Sequence, residues 1–185
     1  MVELNRNHSC SRQAAGAGAS SLSTLTAAEI IRLLQLEPHP LEGGYFRRTF
    51  ASVLRCDCGG RPLMTSIYYL LTQDNPVGFL HRNRSDILHC HHFGAAVQYL
   101  LISPEGSLSE HILGPDIRNG EQPQLLAPGG WWKASRLCSG DHALISEAVA
   151  PGFDYADNEI ATEELTRRLG PALRALLASY LKPST

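Results

Sequence analysis

The strongest constraint on the fold of this chain is a rhythm. Between residues 45 and 149, short runs of β-favouring residues recur about every ten residues, and turn chemistry closes each of them. Residues 45–50 leave the turn Glu42-Gly43-Gly44. Residues 65–71, carrying Ile67, Tyr68 and Tyr69, end at Asp74-Asn75-Pro76. Residues 87–93, 96–102 and 108–113 follow, with Pro104-Glu105-Gly106 turning between the last two. Residues 124–127 run into Pro128-Gly129-Gly130, and residues 142–149 alternate so that Ala143, Ile145, Glu147 and Val149 share one side. Seven or eight strands spaced in this way predict a sandwich or a barrel. Gly and Pro together make about 15% of the chain against a usual ~12%, as a turn-rich β fold requires.

Helical signals bracket the strands. Thr26-Ala27-Ala28-Glu29 has the form of a capping box, and Ala27, Ile30, Ile31 and Leu34 fall on one face of the helix it opens. Pro38-His39-Pro40 is expected to stop that helix. Near the other end, Thr162 can cap Glu163-Glu164-Leu165, and Gly170-Pro171 breaks the helix before Leu173, Leu176, Leu177 and Tyr180. Residues 1–24 read as a disordered tail, and residues 25–185 as one domain.

Charge and motifs narrow the function. Sixteen Lys and Arg face eighteen Asp and Glu, with a pI near 6.4, so no electrostatic footprint for nucleic acid exists. No apolar run approaches the ~20 residues of a membrane span. The five cysteines (Cys10, Cys56, Cys58, Cys90 and Cys138) are odd in number, form no CxxC pair and follow no secretory leader. They read as free thiols in a reducing, cytoplasmic compartment, with Cys56-Asp57-Cys58 as part of a turn. G-x-S-x-G, Walker and G-x-G-x-x-G patterns are absent, which leaves hydrolase, NTPase and dinucleotide readings without support. Glu163-Glu164 is an acidic first helical turn that complements the helix dipole.

Histidine is the unevenly distributed residue. Four of the eight lie between residues 81 and 92. In a strand, Ile87, His89 and His91 share one face while Leu88, Cys90 and His92 share the other. His89 and His91 could serve as two arms of a metal site given a third ligand, or equally as polar pocket or surface residues. Cys90 points away from both and reads as a buried thiol.

His81-Arg82-x-x-Ser85-Asp86, with Gly94 beyond it, resembles the first motif of the cupin superfamily. More narrowly the chain resembles cupin-5, a family of small single-domain cupins formerly called a domain of unknown function. The likeness runs in order through Glu42-Gly43-Gly44-Tyr45-Phe46-Arg47, Ser66-Ile67-Tyr68-Tyr69-Leu70-Leu71 and Leu113-Gly114-Pro115-Asp116. It continues through Gly120-Glu121-x-Pro123-Gln124, Pro128-x-Gly130-x-Trp132 and Ala150-Pro151-Gly152-Phe153-Asp154. The resemblance implies a mainly all-β chain, a double-stranded β-helix or jelly-roll barrel of the cupin type, with a ligand cavity, flanking N- and C-terminal helices, and pairing into a homodimer.

The departures bear on chemistry. Cupin motifs resembling G-x5-H-x-H-x3-E-x6-G and P-x-G-x2-H place their metal ligands at His81, Asn83, Ile87 and Lys133 here. Only His81 is a ligand of the conventional kind, so no conventional divalent-metal centre is expected. A metal could be held only by a rebuilt set of His81, His89 and His91. The implied cavity would be lined by His81, Asn83, His89, His91, Tyr68 or Tyr69, Tyr99, Trp132 and Lys133, suited to a small polar metabolite such as a sugar or nucleotide-sugar. An alternative is a metal-independent isomerase or epimerase, with His81 as base, oriented by Asp86, and Lys133 or a tyrosine as acid. A metal-dependent enzyme and a structural role complete the set.

Overall fold

A computed structural model describes residues 25–57, 59–167 and 171–183. The tail expected over residues 1–24, together with Cys10, Cys58 and Gly170, lies outside the described residues. Helix α1 (Ala27–Leu34) opens as the sequence predicts. Thr26 Oγ1 accepts from the Glu29 amide at 3.3 Å, and the Glu29 carboxylate accepts from the Thr26 amide at 2.9 Å. It closes earlier than the Pro38 pair would dictate, at Gln35, which takes a left-handed φ of 53° and donates to the Ile31 and Arg32 carbonyls.

Eleven strands follow among the described residues: β1 (Glu37–Pro38), β2 (Tyr45–Ala51), β3 (Thr65–Thr72), β4 (Val77–Arg82), β5 (Asp86–Gly94), β6 (Val97–Ile102), β7 (Leu108–Leu113), β8 (Gln124–Ala127), β9 (Trp132–Leu137), β10 (His142–Ala150) and β11 (Glu159–Ile160). Helices α2 (Glu163–Arg167) and α3 (Pro171–Leu177) come last. The strands form two antiparallel sheets, ordered β1-β2-β3-β10-β5-β8 and β11-β4-β9-β6-β7. Apart from β1-β2-β3 and β6-β7, neighbours in each sheet are far apart in sequence, as in a jelly roll, and the fold is the mainly β barrel the sequence suggests.

Strand alternation sorts side chains into three layers. Tyr69, Leu71, Ile87, Val97, Tyr99, Leu101, Leu125, Ile145 and Val149 fill the space between the sheets. On the outer face of the six-stranded sheet, Leu70 and Leu144 pack beneath Ile30 of α1. On the outer face of the other sheet, Leu80, Leu100 and Ala134 pack beneath Leu177 and Tyr180.

Two strands that periodicity does not reveal, β4 and β9, are central to the site. In β4, Gly78 interrupts the pattern and His81 occupies an inward position. In β9, Lys133 and Ser135 point inward between Trp132 and Ala134, so polarity contradicts burial.

The cysteine reading needs correction. Cys56 and Cys138 are each disulfide-bonded, so the chain is not a set of free thiols, and the reducing compartment loses that support. Cys90 is the free cysteine among the described residues, and it is half-buried, with Gln124 Nε2 3.4 Å from its sulfur. No helix among the described residues is long and apolar enough to cross a membrane.

Candidate functional site

Charged side chains meet at one end of the barrel interior. The turn Glu42-Gly43-Gly44 carries Glu42 inward, where it is 5% exposed. Gly43 has φ +79°, and a Cβ there would collide with the Val77 carbonyl oxygen, so this tight turn requires glycine. Phe79 N–H bonds the Glu42 carbonyl at 2.7 Å, and Tyr69 O–H bonds the Gly43 carbonyl at 3.0 Å, tying the turn to β4 and β3. The β4–β9 register sets His81 opposite Lys133. The β10–β5 register sets Glu147 opposite His89.

Two linked groups result. In the first, His81 Nε2 lies 3.2 Å from Glu42 Oε2, Asn158 Nδ2 donates to Glu42 Oε1 at 2.6 Å, and His39 Nε2 stands 3.9 Å from Glu42 Oε2. In the second, Lys133 Nζ lies 2.9 Å from His89 Nε2 and 3.2–3.3 Å from both Glu147 oxygens.

The partners determine where protons sit. A backbone carbonyl can only accept, so His81 Nδ1, 2.6 Å from the Phe79 oxygen, carries hydrogen. Nε2 then faces the Glu42 carboxyl, and a hydrogen bond there requires a proton between them. His39 is the reverse tautomer: Nδ1 accepts from the Leu41 and Glu42 amides, which leaves Nε2–H directed to Glu42. His89 Nδ1 donates to the Leu125 carbonyl at 3.3 Å, and its bare Nε2 accepts from Lys133.

Burial lowers the pKa of His39, His81 and His89 below the ordinary imidazole value. At His81 Glu42 works against that effect, and at His89 the Lys133 charge adds to it. For Glu147 burial acts upward, but Lys133 and then His89 outweigh it and hold the carboxyl well below the usual range. Burial pushes the Tyr69 and Tyr99 phenols well above theirs, so both remain neutral.

A narrow cavity of about 30 Å³, enough for a few water molecules, adjoins this cluster. His39, Glu42, His81, Asn83, Ile87 and Glu147 are among its walls. Arg48, Phe153 and Tyr155 also line it, and Arg48 and Tyr155 are exposed at its rim. Asn83 accepts from the Ser85 amide through Oδ1, while its buried Nδ2 has no hydrogen-bond partner among the described residues.

Of the residues the sequence nominates, His81 and Asn83 line the cavity. Lys133, His89 and Tyr99 form a packed layer behind Glu147, with the Tyr99 ring 4.8 Å from that of His89. The remaining nominees lie elsewhere. Tyr68 is on the outer face of β3, packed toward α1 and edge-on to His92, and Tyr69 takes the inward position. Trp132 faces outward with Arg82 stacked 4.8 Å over its ring, because it neighbours the inward Lys133 on the same strand. His91 turns to the Ala95 carbonyl at 3.0 Å, near a register shift in the β10–β5 pairing. Asp86 accepts from the Gly129 amide and so does not orient His81, a part taken by the Phe79 carbonyl and Glu42. Sequence reasoning passed over Glu42, Glu147 and His39. Its one available signal was an inward glutamate and an inward lysine, at 147 and 133, on strands of one barrel.

The metal of the wider cupin fold does not fit these side chains. No three His, Cys, Asp or Glu residues among the described residues are disposed to hold an ion. The Lys133 Nζ lies between the His89 and Glu147 side chains, so a cationic group of the protein already uses their acceptors.

Comparison with known proteins agrees with this architecture. A family model described as cupin superfamily (DUF985) matches residues 28–161. An uncharacterized protein of Saccharomyces cerevisiae is 38% identical over 169 residues, spanning 81% of this chain and 83% of its own. Solved structures of a Leishmania major hypothetical protein (31% identity, TM-score 0.78) and a Shewanella oneidensis protein (33%, 0.81) are similar over 86% and 87% of this chain and all of theirs.

Proposed function

This chain belongs to the cupin superfamily family DUF985, and on that premise we propose that its barrel cavity binds a small polar metabolite without a conventional cupin metal centre. The observation that carries the reading is Asn83. Asn83 lines the cavity, and its buried Nδ2 meets no acceptor among the described residues, in a wall that also holds the facing Glu42 and His81. A buried donor left unpaired costs about 1–3 kcal/mol, which a bound acceptor recovers. The cavity volume favours a compact occupant, and a sugar or nucleotide-sugar would enter only if Arg48, Phe153 and Tyr155 moved.

The test is a metabolite panel read by thermal shift and by the ring NMR signals of His81. A true ligand raises the melting temperature by mass action and moves those signals saturably. A panel that leaves both unchanged overturns the reading.

A second reading is metal-independent isomerisation or epimerisation, which removes a proton beside a carbonyl with a base and, to epimerise, returns one from an acid on the opposite face; the buried Glu42–His81 pair on the cavity wall is the candidate for the first of these parts. His81→Gln is then expected to abolish turnover and leave affinity intact. Parallel loss of both would leave binding alone. The homodimer implied by the family is part of the proposal, and light scattering should return twice the 20.2 kDa chain mass.

A further inference from the structure

The charges lining the cavity narrow the ligand class, on the reading that the cavity binds a metabolite. Each carboxylate on the wall is already satisfied within the protein. Glu147 has Lys133 within 3.3 Å of both oxygens. Glu42 has Asn158 at 2.6 Å, His81 at 3.2 Å and His39 at 3.9 Å. Lys133 cancels the charge of Glu147, and the Glu42 carboxyl is taken up by the Asn158 amide and the two facing imidazoles.

Arg48 is different. It lines the same cavity at its exposed rim and makes no ion pair among the described residues. A cavity whose carboxylates already have partners within the protein, with a guanidinium that makes no ion pair and a buried amide donor that meets no acceptor among the described residues, selects for one negative charge and a neighbouring oxygen.

We propose that the ligand is a compact monocarboxylate, with its carboxylate paired to Arg48 and an adjacent carbonyl or hydroxyl oxygen accepting from Asn83 Nδ2. That arrangement sets the adjacent oxygen beside the proton held by Glu42 and His81, and the small volume admits acids of a few carbons only. A neutral ligand of the same shape would leave Arg48 without a counter-charge. A cation would meet it as a like charge.

The test uses full-length protein and two matched pairs of probes, pyruvate with pyruvamide and lactate with lactamide. The His81 ring signals give affinity. At least one acid is expected to bind saturably in the millimolar range, and its amide at least about tenfold more weakly. Arg48→Gln, at an exposed position that leaves the fold intact, should cost the acid at least about tenfold and the amide little. Asn83→Ala should weaken both members of a pair, with the melting temperature monitored to confirm folding.

Amides that bind as tightly as acids, or an acid that ignores Arg48→Gln, overturn the carboxylate assignment and leave the cavity reading standing. Silence from the acids with binding by neutral glycerol or glucose does the same. Silence from every probe overturns the cavity reading as well.

Discussion

Lys133 shows what one residue does to this barrel. It is 4% exposed, held between His89 and Glu147, and its removal would strand a carboxylate whose ionised form depends on it. Breaking a buried pair from one side typically costs about 3–5 kcal/mol, whereas replacing both partners with apolar groups is often neutral. Lys133→Met should therefore lower unfolding stability in urea by about that amount, and Lys133→Met with Glu147→Leu should regain most of it. A single variant within about 0.5 kcal/mol of wild type would show that the pair is not a structural unit. Glu42 makes a separate prediction. The proton between it and His81 should give a downfield, slowly exchanging ¹H signal that Glu42→Gln deletes without unfolding the chain. No such signal in wild type would contradict the tautomer argued from the Phe79 carbonyl. His81 and Asn83 were legible in the sequence because they stand at motif positions. Glu42 and Glu147 were visible only as a turn residue and a term in a strand's alternation. Their burial depends on Lys133 and His81 arriving across strand registers, and no local pattern encodes a register.

At the scale of elements, the turn that delivers Glu42 is as demanding as the strands. Gly43→Ala combines a left-handed φ of +79° with a clash against backbone of β4, and the Val77 carbonyl cannot swing aside as a flexible side chain would. It should cost more than about 1 kcal/mol and disturb the Tyr69 and Phe79 bonds that hold the turn, which amide hydrogen exchange would register as lost protection at Phe79. Thr26→Ala, by contrast, removes a cap at the exposed start of α1 and should cost about 1 kcal/mol with the cavity unaltered. The strands closed by turn chemistry, β2, β3, β5, β6, β7, β8 and β10, were legible to within a residue or two, since β-favouring runs and the turns between them are written directly into sequence. β4 and β9 were not, because His81 and Lys133 stand buried at positions where periodicity expects an apolar side chain. The end of α1 was misplaced for another reason: Gln35 accepts a left-handed cap that no glycine announces.

For the whole molecule, the site ties folding to pH. His39 and His89 are buried with pKa values lowered, the first facing Glu42 and the second facing Lys133 and Glu147. In the unfolded chain each titrates near the ordinary value of about 6.5. Below that pH the unfolded state binds protons that the folded state refuses, so stability rises with pH across this window and falls as the solution is acidified. Glu147 has the same sign in a lower window. Its folded pKa lies well below the unfolded one, so its contribution is present above the ordinary carboxylate range and is lost only as pH falls further. The two classes predict a two-stage acid profile, histidines first and Glu147 later. Calorimetric melting temperatures should decline from about pH 7 to about pH 5, then fall again below about pH 4. A flat profile between pH 7 and 5 would mean that these two imidazoles are protonated as readily inside the barrel as in water. That cannot be reconciled with His39 Nδ1 accepting two amide hydrogens and His89 Nε2 accepting from Lys133. Histidines buried in this barrel therefore make loss of stability in mild acid a property of the same side chains that shape the cavity.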